Sequence, residues 1–445
     1  MITFTASILA LLVGYLLYGR FVERVFGVDD STAMPCDAKR DGIDFLPMVS
    51  WKVFLIQFLN IAGTGPIFGA VLGILFGPAA YLWIVFGCIF AGAVHDYLTG
   101  MISIRKGGAS LPEIVGEEMG VSAHRLMGVF SIVLLILVGT VFTVTSADLL
   151  AALTSGFSWS SSMLWVIIII VYFLAATLFP IDTLIGKLYP VFGVVLLIMA
   201  VGIGVSIFTQ PGAMPELTDG LASCHPSGLP VFPFLCITIA CGAISGFHAT
   251  QTPLMARCIK SERLGRQIFY GSMITEGVVA LIWAAAAIKF AGGYKELQEL
   301  GTPAVVVNEI CSSWMGTVGA ILAVLGVIMA PITSGDTAFR SARLIISDFF
   351  KISQSQIHKR LLICIPLFLL SCLLMMLDFN VLWRYFAWCN QSVATIMLWS
   401  AAVWLRKNNR NHWIATVPAI FMTVVCLSYI ILAPEGFNLW AQIAE

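Results

Sequence analysis

The stretch "NIAGTGPIFGAVLGILFGP", residues 60–78, decides how this chain is read. It lies inside an apolar run long enough to cross a bilayer. Yet it places Pro66 directly after Gly-Thr-Gly and spaces Gly65, Gly69, Gly73 and Gly77 four apart. In hydrocarbon every backbone N–H and C=O needs a partner within the protein. Pro66 has no N–H, and inside a helix it clashes with the carbonyl four residues back. Gly63 and Gly65 add backbone freedom. The stretch therefore predicts two half-helices, about 49–62 and 66–77, with Thr64 or Gly65 capping the second and Pro66 in its favoured first position. N–H groups freed at that N-terminus attract an anion, helped by the helix dipole. The glycine row offers a smooth face to a neighbouring helix. A simple proline kink is the structural alternative.

Composition sets the solvent. The 445 residues are 59% hydrophobic and 11% charged, with a mean hydropathy of +0.95. Soluble domains carry about 25% charged residues, so a chain this poor in charge needs the bilayer around it. Net charge is zero, with 24 basic and 24 acidic residues, and no basic stripe points to nucleic acid. None of the 11 cysteines shows a metal-ligand spacing. The run "ITFTASILALLVGYLLYG" lacks the flanks of a signal peptide and reads as a first span.

Twelve apolar segments reach spanning length, about 2–19, 49–77, 79–104, 126–154, 163–181, 188–209, 230–250, 266–291, 314–345, 361–377, 381–405 and 414–433. Of the 24 basic residues, all but Lys289, Lys295 and Arg384 fall in alternate connections beginning with the first. Basic loops stay in the cytoplasm, so both termini are expected outside. Cys224 and Cys311 then lie on the outer side, either bonded to each other in an oxidising periplasm or free.

A second segment, "ITIACGAISGFHATQTPLMA" (237–256), repeats the opening signal with Gly242, Gly246, His248 and Pro253. It sits five spans after the first break, hence in the opposite orientation. Paired interruptions in two inverted halves mark a transporter's binding site, which favours a break over a kink. The division expected is 1–48 for a peripheral helix and cytoplasmic loop, 49–209 for the first five-helix repeat and 210–229 for an external loop. A second repeat follows at 230–405, then a peripheral helix and external C-terminus at 406–445. The substrate contacts expected at the breaks are Gly63, Thr64, Gly65, Gly242, Ser245, Gly246, His248 and Gln251. A third interruption is read in "VIMAPITSGDTAFRSARL" (327–344), where Pro331 and Gly335 loosen the backbone beside Thr333, Ser334, Asp336 and Thr337. Hydroxyl oxygens there, with carbonyls near Ala62 and Gly63, suit Na⁺; alternatively the hydroxyls bond back to their own helix.

The blocks "NIAGTGPIFG", "GAVHDYLTGMISIRKGGASLPEIVGEEMG" and "FPFLCITIACGAISGFHA" resemble the signature blocks of the carbon starvation protein A (CstA) family, over roughly 50–120 and 230–280. The resemblance implies an all-α membrane transporter with the leucine-transporter (LeuT) five-plus-five inverted repeat and discontinuous helices. It also implies uptake of pyruvate or of peptides during nutrient limitation. The second and seventh spans would be the broken pair, and the ninth would supply Thr333, Ser334 and Thr337 to a sodium site. This chain is shorter than the long members, and "ATQTPLM" after His248 is less serine-rich than the family pattern.

Ionisable groups within spans cost at least ~2.5–3.5 kcal/mol each at a helix centre and need a reason. Glu276 is expected to carry a proton or to pair with Arg340. His95 and Asp96 either shuttle a proton or, as the blander reading, anchor an interface. Asp148 reads as the cap of a neighbouring helix, with a transport role as the alternative. His248 is assigned to a substrate carboxylate or a coupling proton, against the alternative of a satisfied buried histidine. Gln57, Asn60 and Gln251 orient a substrate or act as interhelical glue. "SLPEIVGEEMG" (110–120) reads as a short capped amphipathic helix on the cytoplasmic face, structural or a gate element.

The function expected is ion-coupled symport of a small carboxylate such as pyruvate across a bacterial inner membrane. Peptide or amino-acid uptake by the same fold is the alternative, and a channel fits less well. No enzyme motif or resident cofactor is read, only Na⁺ or H⁺ as coupling ion. The partners are the small-molecule substrate and the bilayer, with no nucleic acid and the oligomeric state open.

Overall fold

A computed structural model describes residues 1–41, 44–154, 156–178, 181–352, 356–434 and 436–439. Among them there is no strand. The first half runs α1 (Ile2–Phe26), α2 (Pro35–Ala38), α3 (Ser50–Ile61) and α4 (Gly65–Gly73). It continues with α5 (Ala79–Phe86), a π-turn at Gly87–Gly92, α6 (Ala93–Arg105), α7 (Leu111–Met119), α8 (Val121–Leu153), α9 (Ser162–Leu178) and α10 (Ile181–Thr209). The second half holds α11 (Phe234–Thr238), α12 (Gly246–Ala256), α13 (Gly271–Ala291), α14 (Tyr294–Glu299) and α15 (Pro303–Leu322). It ends with α16 (Met329–Phe350), α17 (Ile357–Leu374), α18 (Phe379–Lys407) and α19 (Trp413–Leu432).

Seven continuous helical stretches are long and apolar enough to cross a bilayer, and α3 with α4 makes an eighth when that bent pair is one span. This is an integral membrane architecture, with fewer self-evident spans than the twelve apolar segments. The shortfall has local causes. The seventh segment is cut into α11 and α12, α9 is short, and α16 and α18 are the least apolar of the long helices.

Both opening breaks form, although the second is confined to 239–245: His248 and Pro253, read as part of that interruption, lie inside helical α12. α3 stops at Ile61, α4 starts at Gly65, and the two are bent by 46°. Residues 239–245 are non-helical between α11 and α12. Thr64 is the N-cap residue of α4 but its side chain makes no capping bond, and Pro66 sits one place inside the helix rather than at its first position. The third interruption moves. α16 runs helical through Pro331 and Gly335, and the irregularity lies upstream as a π-helical stretch at Ala323–Ile328. Pro331 cannot donate to the carbonyl of Val327, and a widened turn before it absorbs that loss. A further kink falls at Gly316 in α15, with φ 58°.

Charged groups tie helix ends together at two places. At one, Arg105 at the end of α6 forks onto Glu262, with Nε and Nη2 at 2.9 and 3.1 Å from the two carboxylate oxygens. At the other, Glu216 accepts from the N–H groups of Ile2 (3.0 Å) and Thr3 (2.7 Å), capping α1. Lys289, one of the three displaced basic residues, donates to the Ile207 carbonyl at 2.7 Å near the end of α10. α7 has the expected capping box, with Ser110 N–H donating to Glu113 Oε2 at 2.7 Å. Asp148 accepts from the Ser162 hydroxyl at the start of α9. Cys224 and Cys311 are both free thiols; Cys311 lies buried within α15, not in a loop. The last six residues of the expected external C-terminus, 440–445, are outside the described residues.

Candidate functional site

The two breaks pack directly on each other. A Cβ on Gly65 would fall 2.4 Å from both Cβ and Sγ of Cys241, and one on Gly73 would fall 2.1 Å from Cγ1 of Ile239. A Cβ on Gly69 would meet the Thr238 carbonyl at 3.0 Å. The smooth glycine face of α4 therefore receives the unwound chain after α11, rather than a regular helix. Only glycine permits that approach, because every larger residue would push the seventh segment away. Gly242 faces Ala280 of α13, and Gly63 lies between Phe142 and Ser334.

At the start of α12, Ser245 is extended and its side chain does not cap the helix. Asn390 of α18 does this instead. Its Oδ1 accepts from the Phe247 N–H at 2.7 Å and from the Ser245 hydroxyl at 3.1 Å. One anion-attracting N–H of this half-helix is therefore occupied by a side chain. Sequence reasoning missed Asn390, although a "WCNQSV" run within an apolar segment was the available signal.

Beside the other break the polar groups are buried and unsatisfied among the described residues. Both amide atoms of Asn60 and the Thr64 hydroxyl have no hydrogen-bond partner, and neither do Gln57 Oε1 and Gln251 Oε1. Buried polar groups are nearly always paired, so this cluster has capacity for a polar ligand. The rest of these amides is engaged: Gln57 Nε2 donates to Thr252 Oγ1 at 3.1 Å, and Gln251 Nε2 to Thr250 Oγ1 at 3.0 Å.

The three hydroxyls of α16 divide. Thr333 donates to the Ala330 carbonyl (2.8 Å) and Thr337 to the Ser334 carbonyl (3.0 Å), both within their own helix. Ser334 alone reaches across, lying 3.2 Å from the carbonyls of Leu59 and of Asn60, next to Ala62. Asp336 points elsewhere and accepts from the Tyr189 hydroxyl of α10 at 3.0 Å. Tyr189 was not anticipated.

The ionisable residues assemble differently from the expected pairs. Glu276 meets His248, not Arg340, with Oε2 3.4 Å from Nε2. Arg340 donates to the Ala176 carbonyl at 3.1 Å. On its other side His248 Nδ1 lies 2.9 Å from Asp96 Oδ2, and Asp96 Oδ1 lies 2.8 Å from His95 Nδ1. All four side chains are fully buried. The third, seventh and eighth apolar segments are thus tied into one chain of two carboxylates and two imidazoles. The blander reading of His95 and Asp96 as an interface anchor described their contact and missed their partner. An intramembrane charge needs a counter-charge, and His248 was the candidate on offer.

On the basic face a cavity of about 560 Å³ opens among Lys39, Lys106, Arg257, Glu113 and Asp348, and its wall includes Thr250, Pro253 and Ser341. It ends two residues from His248. Outside the bilayer-spanning stretch, burial together with the nearby Glu113 carboxylate pushes Asp348 up to about 6, against the pull of Arg257.

The carbon starvation protein CstA family matches this chain over residues 1–164, 151–318 and 287–429. A membrane protein of Haemophilus influenzae is 39% identical over 359 residues, covering 70% of this chain and 97% of that protein. The peptide transporter CstA of Campylobacter jejuni is 30% identical over 382 residues, covering 69% of this chain and 54% of its own. The pyruvate/proton symporter BtsT of Escherichia coli is 29% identical over 346 residues, covering 63% and 48%. This chain spans about half the length of those two transporters. With matching segments from the first residue to residue 429, the chain belongs to the carbon starvation protein CstA family.

Proposed function

We propose that this chain is a secondary active transporter of the bacterial inner membrane. It takes up a small carboxylate such as pyruvate, by symport, through a LeuT-like repeat of two inverted five-helix halves with both termini outside. The observation that carries the reading is the contact of the two broken segments at Gly65 and Cys241, beside the unsatisfied Asn60 amide and Thr64 hydroxyl. Broken helices opposed in this way are how such transporters build a substrate site. The cavity on the basic face is then the cytoplasmic vestibule. In the closed form the breaks are sealed, so substrate entry requires α4 and α11–α12 to separate.

Peptide uptake is the second reading, favoured by the likeness to the Campylobacter peptide transporter. Purified protein in proteoliposomes is expected to accumulate labelled pyruvate under an inward ion gradient. Collapse of the gradient should stop accumulation; uptake of Ala-Ala instead would select the peptide reading, and flux that ignores the gradient would sink both.

As an alternative to a proton, a sodium ion is favoured by one observation, the reach of Ser334 to the carbonyls of the first break. With Thr333 and Thr337 spent on their own helix, Ser334 is the side chain that would hold the ion. Under this reading Ser334→Ala abolishes stimulation of uptake by Na⁺, whereas full stimulation in the variant removes the site.

A further inference from the structure

The buried quartet His95, Asp96, His248 and Glu276 has a protonation pattern that its geometry assigns. An ionised carboxylate only accepts hydrogen bonds. Asp96 has one oxygen on His95 Nδ1 (2.8 Å) and the other on His248 Nδ1 (2.9 Å). With Asp96 ionised, both imidazoles donate to it from Nδ1 and it stands as the anion between them. The second nitrogen of His248 is left facing Glu276 Oε2 at 3.4 Å, where neither group makes a hydrogen bond among the described residues. If neither carries a proton, a lone pair and an anion oppose each other in a dry interior, which is costly. One proton, on either atom, turns the opposition into attraction.

We propose that the gap between His248 Nε2 and Glu276 Oε2 is the binding site for a coupling proton, and that its occupancy decides whether α12 stays joined to α13 through this contact. This rests on the transporter reading above and deepens it. α12 begins at the second break, so the group that senses the proton sits on the segment whose movement opens the substrate site. Two other titratable groups lie near the pair, the Cys241 thiol of the unwound chain beside His248 and the Cys88 thiol beside α13. Gln57 of α3, Ser341 of α16 and Asn390 of α18 meet α12 with neutral groups. Charged groups on elements packed against it include Glu113, Glu117 and Glu118 of α7 and Asp336, Arg340 and Arg343 of α16. The proton enters as the segment opens, is held between nitrogen and oxygen, and leaves to water in the cavity at Thr250.

The test uses Glu276→Gln in the full chain, which keeps the shape and cannot release a proton. With labelled pyruvate, or Ala-Ala if that is the probe the wild type carries, one unit of inward pH gradient should support about tenfold accumulation per coupled proton. E276Q should fall to simple equilibration while retaining substrate exchange at equal pH on both sides. Gradient-driven accumulation at the wild-type level in E276Q would overturn the proposal. A second readout needs no substrate: the infrared carbonyl band of a protonated buried carboxyl should titrate in the wild type and be missing in E276Q. Persistence of that band in E276Q would also overturn it. Failure of the wild type to move either probe would count against the transporter reading, while the band still tests the proton site. If E276Q does not fold, Glu276→Asp takes its place; the band should shift, and an unchanged band is contrary to the proposal.

Discussion

Replacing Arg105 by alanine is expected to destabilise the folded protein by about 3–5 kcal/mol, the range for breaking a buried ion pair by removing one partner. Glu262 is fully buried at its side chain, and Arg105 is about one-fifth exposed. The guanidinium makes a two-point fork on the carboxylate, donates to the Gly27 carbonyl at 2.6 Å, and stands 4.4 Å above the Phe26 ring. Glu262 also accepts the Asp29 N–H at 2.8 Å. This knot joins the end of α1, the end of α6 and the turn between α12 and α13. Without Arg105, Glu262 remains as a buried anion with one amide for company. Arg105→Lys keeps a charge but not the fork and should fall between the two. Unfolding in detergent measures all three; an alanine variant as stable as the wild type would contradict the account.

Gly246→Ala should be the most damaging single-methyl change for transport. A Cβ there would lie 2.3 Å from the Asn390 carbonyl oxygen and 2.7 Å from the Ala394 nitrogen. Both are backbone atoms of α18 and cannot swing aside, so α12 and α18 must separate. Overpacking of this kind costs about 1–3 kcal/mol or more. The separation also withdraws Asn390 from the Phe247 N–H and leaves a buried donor unpaired, worth about 1–3 kcal/mol again. Uptake should be lost along with stability. The matched control is Gly204→Ala, where the nearest atom is Cδ1 of Ile282 at 3.4 Å. In a helix that change should be neutral or stabilising by up to about 1 kcal/mol. Equal behaviour of the two variants would refute the packing argument.

Much of the local structure was legible because local rules govern it. Pro66 and the glycines before it end a helix whatever surrounds them, and the Ser110–Glu113 box needs only four residues of chain. Pro331 shows the limit of that reasoning. The loosening was foreseen, but α16 stays helical through Pro331 and the irregularity lies upstream at 323–328.

What the sequence by itself determined is a helical membrane chain broken after Ile61 and again between Thr238 and Gly246. The first is set by a proline without an N–H beside glycines, the second by the small residues around Gly242 and Gly246. Only the tertiary structure decided which buried polar groups meet. Glu276 could as well have faced Arg340 on spacing alone, and nothing near Phe247 announces Asn390, 143 residues away. A charge in hydrocarbon must have a counter-charge, but which one is a matter of distance in space, and three helices had to pack before Asp96, His248 and Glu276 lay in one line.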